Sequence, residues 1–210
     1  MKLYGVLTPQ EAHEVVEKLQ GLEWKQGKAS NHFATGTVKQ NSEILPTDGD
    51  RQKELLNGLY EKLSGVMPDN FGKVMVVPKF NRYQVGDAYH AHADAGWMGN
   101  RIRTDLACTL FLNDDYEGGE LNANGVVIKG MPGQCVVYEC WRPHWVNPVT
   151  KGERIAAITW IQSGIRSAEH REIIDMFLSV MSDLDRTSNE ERLYARLSAL
   201  YGKLIRMWLD

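Results

Sequence analysis

Cysteine is scarce in this 210-residue chain. There are three, Cys108, Cys135 and Cys140, and no two of them form a Cys-x-x-Cys pair. An odd count without paired spacing argues against a disulfide framework or a structural zinc site and points to a reducing cytoplasm. Long apolar runs are also missing. Nothing approaches the roughly 20 residues needed to span a bilayer, and the opening Met-Lys-Leu-Tyr-Gly-Val-Leu-Thr-Pro has no extended apolar leader core, so a cytosolic protein without a membrane partner is expected. The net charge is −3 with no basic block, which removes nucleic acid and anionic membrane surfaces from the expected partners. No internal repeat, low-complexity tract or long linker divides the chain. What remains is ordinary globular composition, 43% hydrophobic and 24% charged, at a length that can bury a substantial core.

Both ends of the chain read as helical. Thr8-Pro9-Gln10-Glu11 combines a capping box with proline at the first helical position. Ala12, Val15, Val16 and Leu19 follow at helical spacing, and Gly21 stops the run. Residues 27–39 are polar and read as irregular structure with a short strand. A second helix is expected from Asp50 to Leu63, closed by Gly65. Near the C-terminus, Ser167 caps a helix burying Ile173, Ile174, Phe177, Val180, Met181 and Leu184. Ser188-Asn189-Glu190-Glu191 is a capping box opening a last helix, with Leu193, Leu197, Leu200, Tyr201, Leu204 and Trp208 inward.

Between these ends, residues 74–163 read as short strands cut by turn signals such as Asn113-Asp114-Asp115, Asn124-Gly125 and Met131-Pro132-Gly133. Expected strands are 74–77, 81–85, 88–92, 104–112, 119–122, 126–128, 134–139, 144–148 and 154–162. No helix-length connection joins them, so an antiparallel jelly roll is favoured over a parallel α/β sheet. The fold class is mainly β with flanking helices. Residues 1–165 would form the jelly-roll domain with its N-terminal helices, and residues 166–210 a helical hairpin packed on it.

The chemistry concentrates in the stretch from Phe80 to Asp94. His90, His92 and Asp94 occupy every second position, so in an extended chain all three would point the same way. His-x-Asp supplies two parts of the His/His/carboxylate set that holds Fe(II) in oxygenases. Alone it is weak, because 6 His and 12 Asp in this length give about a third of one such pair by chance. A third ligand must come from a distant strand. His144, in Trp-Arg-Pro-His-Trp-Val-Asn-Pro, is the good candidate after Asp94, since His170 opens a helix while His13 and His32 precede the β region. Ten residues on, alternation places Arg154 on one face with Ala156, Ile158 and Trp160. A guanidinium aimed into an apolar interior needs a partner, and no acidic residue on a neighbouring inward face offers itself. A bound dicarboxylate is the economical explanation.

Here the chain resembles the PKHD-type hydroxylases, Fe(II)- and 2-oxoglutarate-dependent dioxygenases related to the prolyl 4-hydroxylases. The likeness runs over nearly the whole chain. It includes Val38-Lys39-Gln40-Asn41, Phe80-Asn81-Arg82-Tyr83 followed by Gly86, Tyr89, His92 and Asp94, then Arg103-Thr104-Asp105-Leu106, Thr109-Leu110-Phe111-Leu112 and Tyr116-Glu117-Gly118-Gly119-Glu120-Leu121. It continues through residues 144–152 and Arg154 to Trp160-Ile161-Gln162-Ser163, and on to the last helix, 200–208. The resemblance implies a double-stranded β-helix with iron held by His92, Asp94 and His144, and Arg154 binding the distal carboxylate of 2-oxoglutarate. It also places Tyr83 and Thr109 by the cosubstrate, and Leu121, Val146 and Trp160 as pocket walls. O2 is implied as co-reactant and ascorbate (vitamin C) as an optional addition. The segment 94–103 is shorter here than in the family pattern, which bears on substrate specificity.

The implied reaction hydroxylates an unactivated C–H bond, of a prolyl residue in a peptide or protein, with release of succinate and CO2. Trp97 and Trp145 are aromatic candidates for packing a pyrrolidine ring, and the loop of Trp97 and Met98 reads equally as a lid or as an ordinary exposed loop. His90 reads as a surface or supporting residue, and Glu120 as a hairpin residue. Three alternatives stay open: hydroxylation of a free amino acid or siderophore-like small molecule, a cupin-like metalloprotein using His90, His92 and His144 without 2-oxoglutarate, and a catalytically silent jelly-roll binding module. The apolar stripes of the last two helices are core or homodimer surface.

Overall fold

A computed structural model describes residues 1–28, 38–66, 72–98, 101–187 and 191–210. The first helix, α1 (Pro9–Leu19), starts where the sequence says it should. Thr8 Oγ1 accepts from the Glu11 amide at 3.2 Å, and the Glu11 carboxylate accepts from the Thr8 amide at 2.8 Å, closing the capping box. The second, α2 (Asp50–Val66), runs through Gly65 instead of stopping there. With no Cβ contact within 4 Å and ordinary φ, that glycine is tolerated as an interior helical residue.

Two antiparallel sheets form the framework. In the larger, Lys2–Gly5, Gln134–Tyr138, Leu106–Phe111, Arg154–Ser163, Lys79–Tyr83, Ser42–Ile44 and Lys25–Gln26 lie side by side in that order, and Gly72–Met75 also pairs with Arg154–Ser163. In the smaller, the order is Val126–Ile128, Leu121–Ala123, His144–Val146, Ala88–His92 and Lys39–Gln40. Ala88–His92 and Val126–Ile128 match the sequence expectation to the residue. The stretch expected as one strand at 144–148 breaks after Val146, and Val149–Lys151 pairs instead with Glu117–Gly118.

The strand Arg154–Ser163 is buried on both faces, which explains its nearly continuous apolar sequence. One face gives Ile155, Ala157 and Ile161 to a cluster with Ala12 and Leu19 of α1 and Leu56, Leu59 and Leu63 of α2. The other gives Trp160 to a cluster between the sheets with Tyr83, Tyr89, Phe111, Leu121, Val136 and Val146. The helices thus cover the larger sheet from outside and leave its inner face for a cavity. Leu110, wholly buried in the outer cluster, should lose about 2–5 kcal/mol of stability on truncation to alanine, measurable as a shifted denaturation midpoint.

By contact the chain divides into two compact units, residues 1–67 with 74–162, and residues 68–73 with 163–210. In the second unit, α3 (Ala168–Thr187) and α4 (Glu191–Trp208) share a small core of Ile165, Ile174, Leu178, Tyr201, Leu204, Ile205 and Trp208. Ser167 Oγ accepts from the His170 amide at 3.2 Å, as an N-cap should. The His170 ring stacks on Trp208 with centroids 4.1 Å apart. Ile173, Val180 and Leu200 were expected inward but are about half exposed, because each lies one residue, about 100° of helical rotation, off the buried stripe. The capping box expected at 188–191 falls largely outside the described residues. No helix among the described residues is long and apolar enough to cross a membrane.

Candidate metal centre

Strict alternation would put His90, His92 and Asp94 on one face, but the strand does not alternate strictly. His92 pairs with His144 and Tyr89 with Val146, so the register slips by one residue between them. Two residues, His90 and Ala91, oppose the single Trp145, as at a β-bulge. Tyr89 and His92 consequently both face inward, and their rings stack at 3.5 Å with 16° between planes. His90 is turned out and exposed. The expectation of three co-facial side chains is therefore corrected, and His90 is separated from the other two.

His92, Asp94 and His144 converge. One ligand atom from each lies within 4.8 Å of the others. The Asp94 oxygens stand 3.7 Å from His92 Nε2 and 3.5 Å from His144 Nε2, and all three side chains are about 5% exposed. Adjacent octahedral ligands at ~2.1 Å from a metal lie about 3 Å apart, so a small contraction would close the set around an ion. The backbone fixes which nitrogen faces inward. His92 Nδ1 lies 2.8 Å from the His90 carbonyl and His144 Nδ1 lies 2.9 Å from the Arg142 carbonyl. A carbonyl oxygen only accepts, so each Nδ1 carries the hydrogen and each Nε2 keeps its lone pair for a metal. Burial, and then the neighbouring His144 ring, pushes the His92 pKa down to about 4, so the ring is neutral, as a ligand must be.

Asp94 is held from two sides. Its amide donates to the Cys140 carbonyl at 2.9 Å, and Trp160 Nε1 donates to its Oδ2 at 2.9 Å. The indole orients the carboxylate towards the imidazoles. Tyr138 meets His144 edge-on at 5.2 Å, completing an aromatic cuff around the donors.

At the far end of the same cavity lies Arg154, with 0% exposure. Its three guanidinium nitrogens make no well-formed hydrogen bond, nor do the buried hydroxyls of Tyr83 and Tyr116; the Tyr116 hydroxyl stands beside the guanidinium, and no carboxylate pairs with it among the described residues. The guanidinium stands 5.2 Å from the Tyr83 ring centroid and 5.6 Å from that of Phe111. Burial raises the Tyr83 pKa despite this neighbouring charge, so its hydroxyl is a proton donor. Gly119 makes the position possible. Its φ is +67°, and a Cβ there would come within 3.1 Å of Arg154 Cδ. A buried fork of donors beside a neutral hydroxyl is a cradle for a carboxylate.

The cavity is lined by His92, Asp94, His144, Arg154, Tyr83, Thr109, Leu121, Val146 and Trp160, which the sequence singled out, together with Lys39, Lys79, Tyr89, Tyr138 and Ile158. Trp145 is not brought to it. Its strand neighbours His144 and Val146 face in, so Trp145 faces out, where Nε1 donates to Asn147 Oδ1 at 3.0 Å. Trp97 lies on a small ribbon with Arg103 and is 61% exposed. Glu120 accepts from Asn147 Nδ2 at 3.0 Å, a hairpin contact. Sequence reasoning gave no role to the two lysines. Lys79 shares strand parity with Asn81 and Tyr83, the signal that would have found it.

The sequence profile described as 2OG-Fe(II) oxygenase superfamily matches residues 78–162. A PKHD-type hydroxylase of Nitrobacter winogradskyi is 33% identical over 218 residues, covering 98% of this chain and 96% of the relative. Among solved structures, a Pseudomonas putida prolyl-4-hydroxylase is similar with a TM-score of 0.53 at 19% identity, covering 77% of this chain and 91% of the other. A prolyl hydroxylase of Trichoplax adhaerens, crystallised with a hypoxia inducible factor oxygen degradation domain peptide fragment, gives a TM-score of 0.55 at 16% identity, covering 77% and 82%. These two likenesses concern the fold.

Proposed function

The chain belongs to the PKHD-type hydroxylases of the 2OG-Fe(II) oxygenase superfamily, and from that premise we propose that it hydroxylates a prolyl residue in a peptide or protein, releasing succinate and CO2. It is an Fe(II)- and 2-oxoglutarate-dependent dioxygenase. In this reading His92, Asp94 and His144 hold the iron, and Arg154 with Tyr83 holds the distal carboxylate of 2-oxoglutarate. The observation that carries it is Arg154: a wholly buried guanidinium without a carboxylate partner among the described residues, lining the same cavity as two imidazoles and a carboxylate.

Iron bound with the 2-oxo acid would supply O2 activation, coupling oxidation of the cosubstrate to insertion of one oxygen atom into a C–H bond. The protein's own part is positional. The backbone carbonyls of His90 and Arg142 aim both Nε2 atoms at one point, and Trp160 aims Asp94. Arg154 and Tyr83 would hold the distal carboxylate of the cosubstrate, leaving its 2-oxo acid group for the metal donors. Leu121, Val146 and Ile158 line the space between and exclude water from the reacting atoms. Support for a prolyl substrate comes from the fold neighbours, both prolyl hydroxylases, one of them complexed with a peptide. The three cysteines are free and buried, in accord with a cytoplasmic setting.

Anaerobic addition of Fe(II) and then 2-oxoglutarate should produce the weak visible metal-to-ligand charge-transfer band of a chelated 2-oxo acid. Succinate formation coupled to a +16 Da product on a proline-containing peptide should follow on admission of O2. A missing band would remove the cosubstrate assignment. Hydroxylation of a small molecule, with peptides giving only uncoupled succinate, would remove the peptide assignment.

A further inference from the structure

Two lysines reach the cavity and share a single counter-ion. Lys39 and Lys79 both line it, and both Nζ atoms bond the same oxygen, Glu43 Oε1, Lys79 at 2.7 Å and Lys39 at shorter range. The side chains are 4%, 14% and 6% exposed for Lys39, Lys79 and Glu43. Each ammonium also lies against an aromatic ring that touches the metal donors. Lys39 Nζ is 4.9 Å from the centroid of Tyr89, the ring stacked on His92. Lys79 Nζ is 5.4 Å from the centroid of Trp160, the ring that donates to Asp94.

The location is distinct from the cosubstrate cradle. On the inner face of the larger sheet, Tyr83 pairs with Arg154, Asn81 with Ala156 and Lys79 with Ile158. The Arg154 end and the Lys79 end are therefore four residues apart along one strand, roughly 13 Å, with the iron donors reached from the Lys79 side through Trp160.

Charge identifies what is wanted there. Arg154, Lys39 and Lys79 are three cations, and Asp94 and Glu43 are two anions. Iron(II) and the 2-oxoglutarate dianion cancel one another, so the fully loaded cavity still carries one positive charge. A purely structural ion pair would need only one lysine. Lys39 also donates to the Lys28 carbonyl at 3.1 Å, whereas Lys79 has Glu43 as its acceptor among the described residues, leaving ammonium hydrogens to give. Burial first, and then repulsion from Lys79, pulls the Lys39 pKa down to about 8.

We propose that Lys79, braced by Lys39 and Glu43, binds a carboxylate carried by the substrate close to the carbon that is hydroxylated. For a peptide this is an acidic residue beside the target residue, and for a free amino acid it is the α-carboxylate. The proposal rests on the dioxygenase reading and narrows its substrate class.

The test uses the full chain loaded with catalytically inert Zn(II) and 2-oxoglutarate, titrated calorimetrically with matched proline peptides bearing Asp or Asn on either side of the proline, and with L-proline against prolinamide. The Fe(II) enzyme is then assayed on the same panel. At least one carboxylate member should bind about tenfold or more tighter than its amide and be hydroxylated in the same order. Which pair shows the difference identifies the source of the carboxylate. Lys79→Met should abolish the preference while the charge-transfer band titrates with 2-oxoglutarate within twofold of wild type, and Lys79→Arg should retain much of it. Lys79 is chosen because Glu43 keeps Lys39 as partner in the variant, and Lys79→Gln serves if methionine prevents folding. Equal affinity for acid and amide throughout, a preference that survives Lys79→Met, or a loss of 2-oxoglutarate binding in its place, each overturns the proposal. Absence of the band in wild type overturns instead the reading beneath it.

Discussion

Replacing Asp94 with alanine should leave a folded protein that neither retains stoichiometric iron nor consumes 2-oxoglutarate. The carboxylate is the one anionic donor of the set, and it lies within 3.7 Å of both imidazole Nε2 atoms. Loss of a group standing behind a ligand typically costs 10–100-fold in affinity or activity, and loss of a ligand should exceed this, to below about 0.1% of wild-type turnover. Asp94→Glu should fail as well. An added methylene displaces the carboxylate by roughly 1.5 Å, against a tolerance of about 0.5 Å for a productive site, while Trp160 and the Cys140 carbonyl hold the surroundings in place. His90→Ala should keep its iron, since that side chain is exposed and only its backbone carbonyl serves the site. Iron content and succinate release in the three variants decide the matter. An essential His90 with a dispensable Asp94 would return the protein to the cupin-like class.

Arg154→Met should have two effects of opposite sign. Affinity for 2-oxoglutarate should fall at least about 25-fold, because truncating one member of a buried charge pair costs about 2–5 kcal/mol and each 1.4 kcal/mol is a factor of ten. The ligand-free protein should become more stable. Its guanidinium is desolvated, without a carboxylate partner among the described residues and enclosed by Tyr83, Phe111 and Gly119, and replacing buried charge with an apolar side chain of similar volume is often stabilising by about 1–4 kcal/mol. At about 2–4 °C per kcal/mol for a chain of this size, the rise in Tm should be several degrees. With a redox-inert metal already bound in both proteins, adding saturating 2-oxoglutarate should raise Tm further in wild type and leave that of the variant nearly unchanged. A variant less stable than ligand-free wild type, or one with an unchanged Michaelis constant for the cosubstrate, would show that Arg154 has a partner other than a bound dicarboxylate.

Much of this was legible from local sequence. The capping box at Thr8 was, as were the strands Ala88–His92 and Val126–Ile128, because neighbouring residues determine each. Arg154 was legible through a conflict, a charge on an apolar face. What stayed hidden depends on partners far along the chain. Lys2–Gly5 is a strand because Gln134–Tyr138 lies beside it, and nothing in four residues announces that. The roles of Lys39 and Lys79 depend on Glu43 and on two rings belonging to other strands. Trp145 was readable and misjudged, since period two cannot send both it and Val146 inward. The reading of His90 as a surface residue agrees with its exposure, but its placement on one face with His92 and Asp94 failed for the opposite reason, because period two was trusted across a register slip that only the opposing strand reveals.

That slip is a tolerance in the count of residues. Between Tyr89 and His92 the chain carries two residues where its partner carries one, and the bulge that absorbs the surplus residue keeps both rings on the inner face. The side chains at 90 and 91 are exposed, so substitutions there should be nearly silent. Removing either residue would bring the two strands back into step and leave Tyr89 and His92 two positions apart, still on the same inner face. A surplus of one residue at this point is therefore something the strand pair absorbs, with His92 kept opposite His144 and among the metal donors.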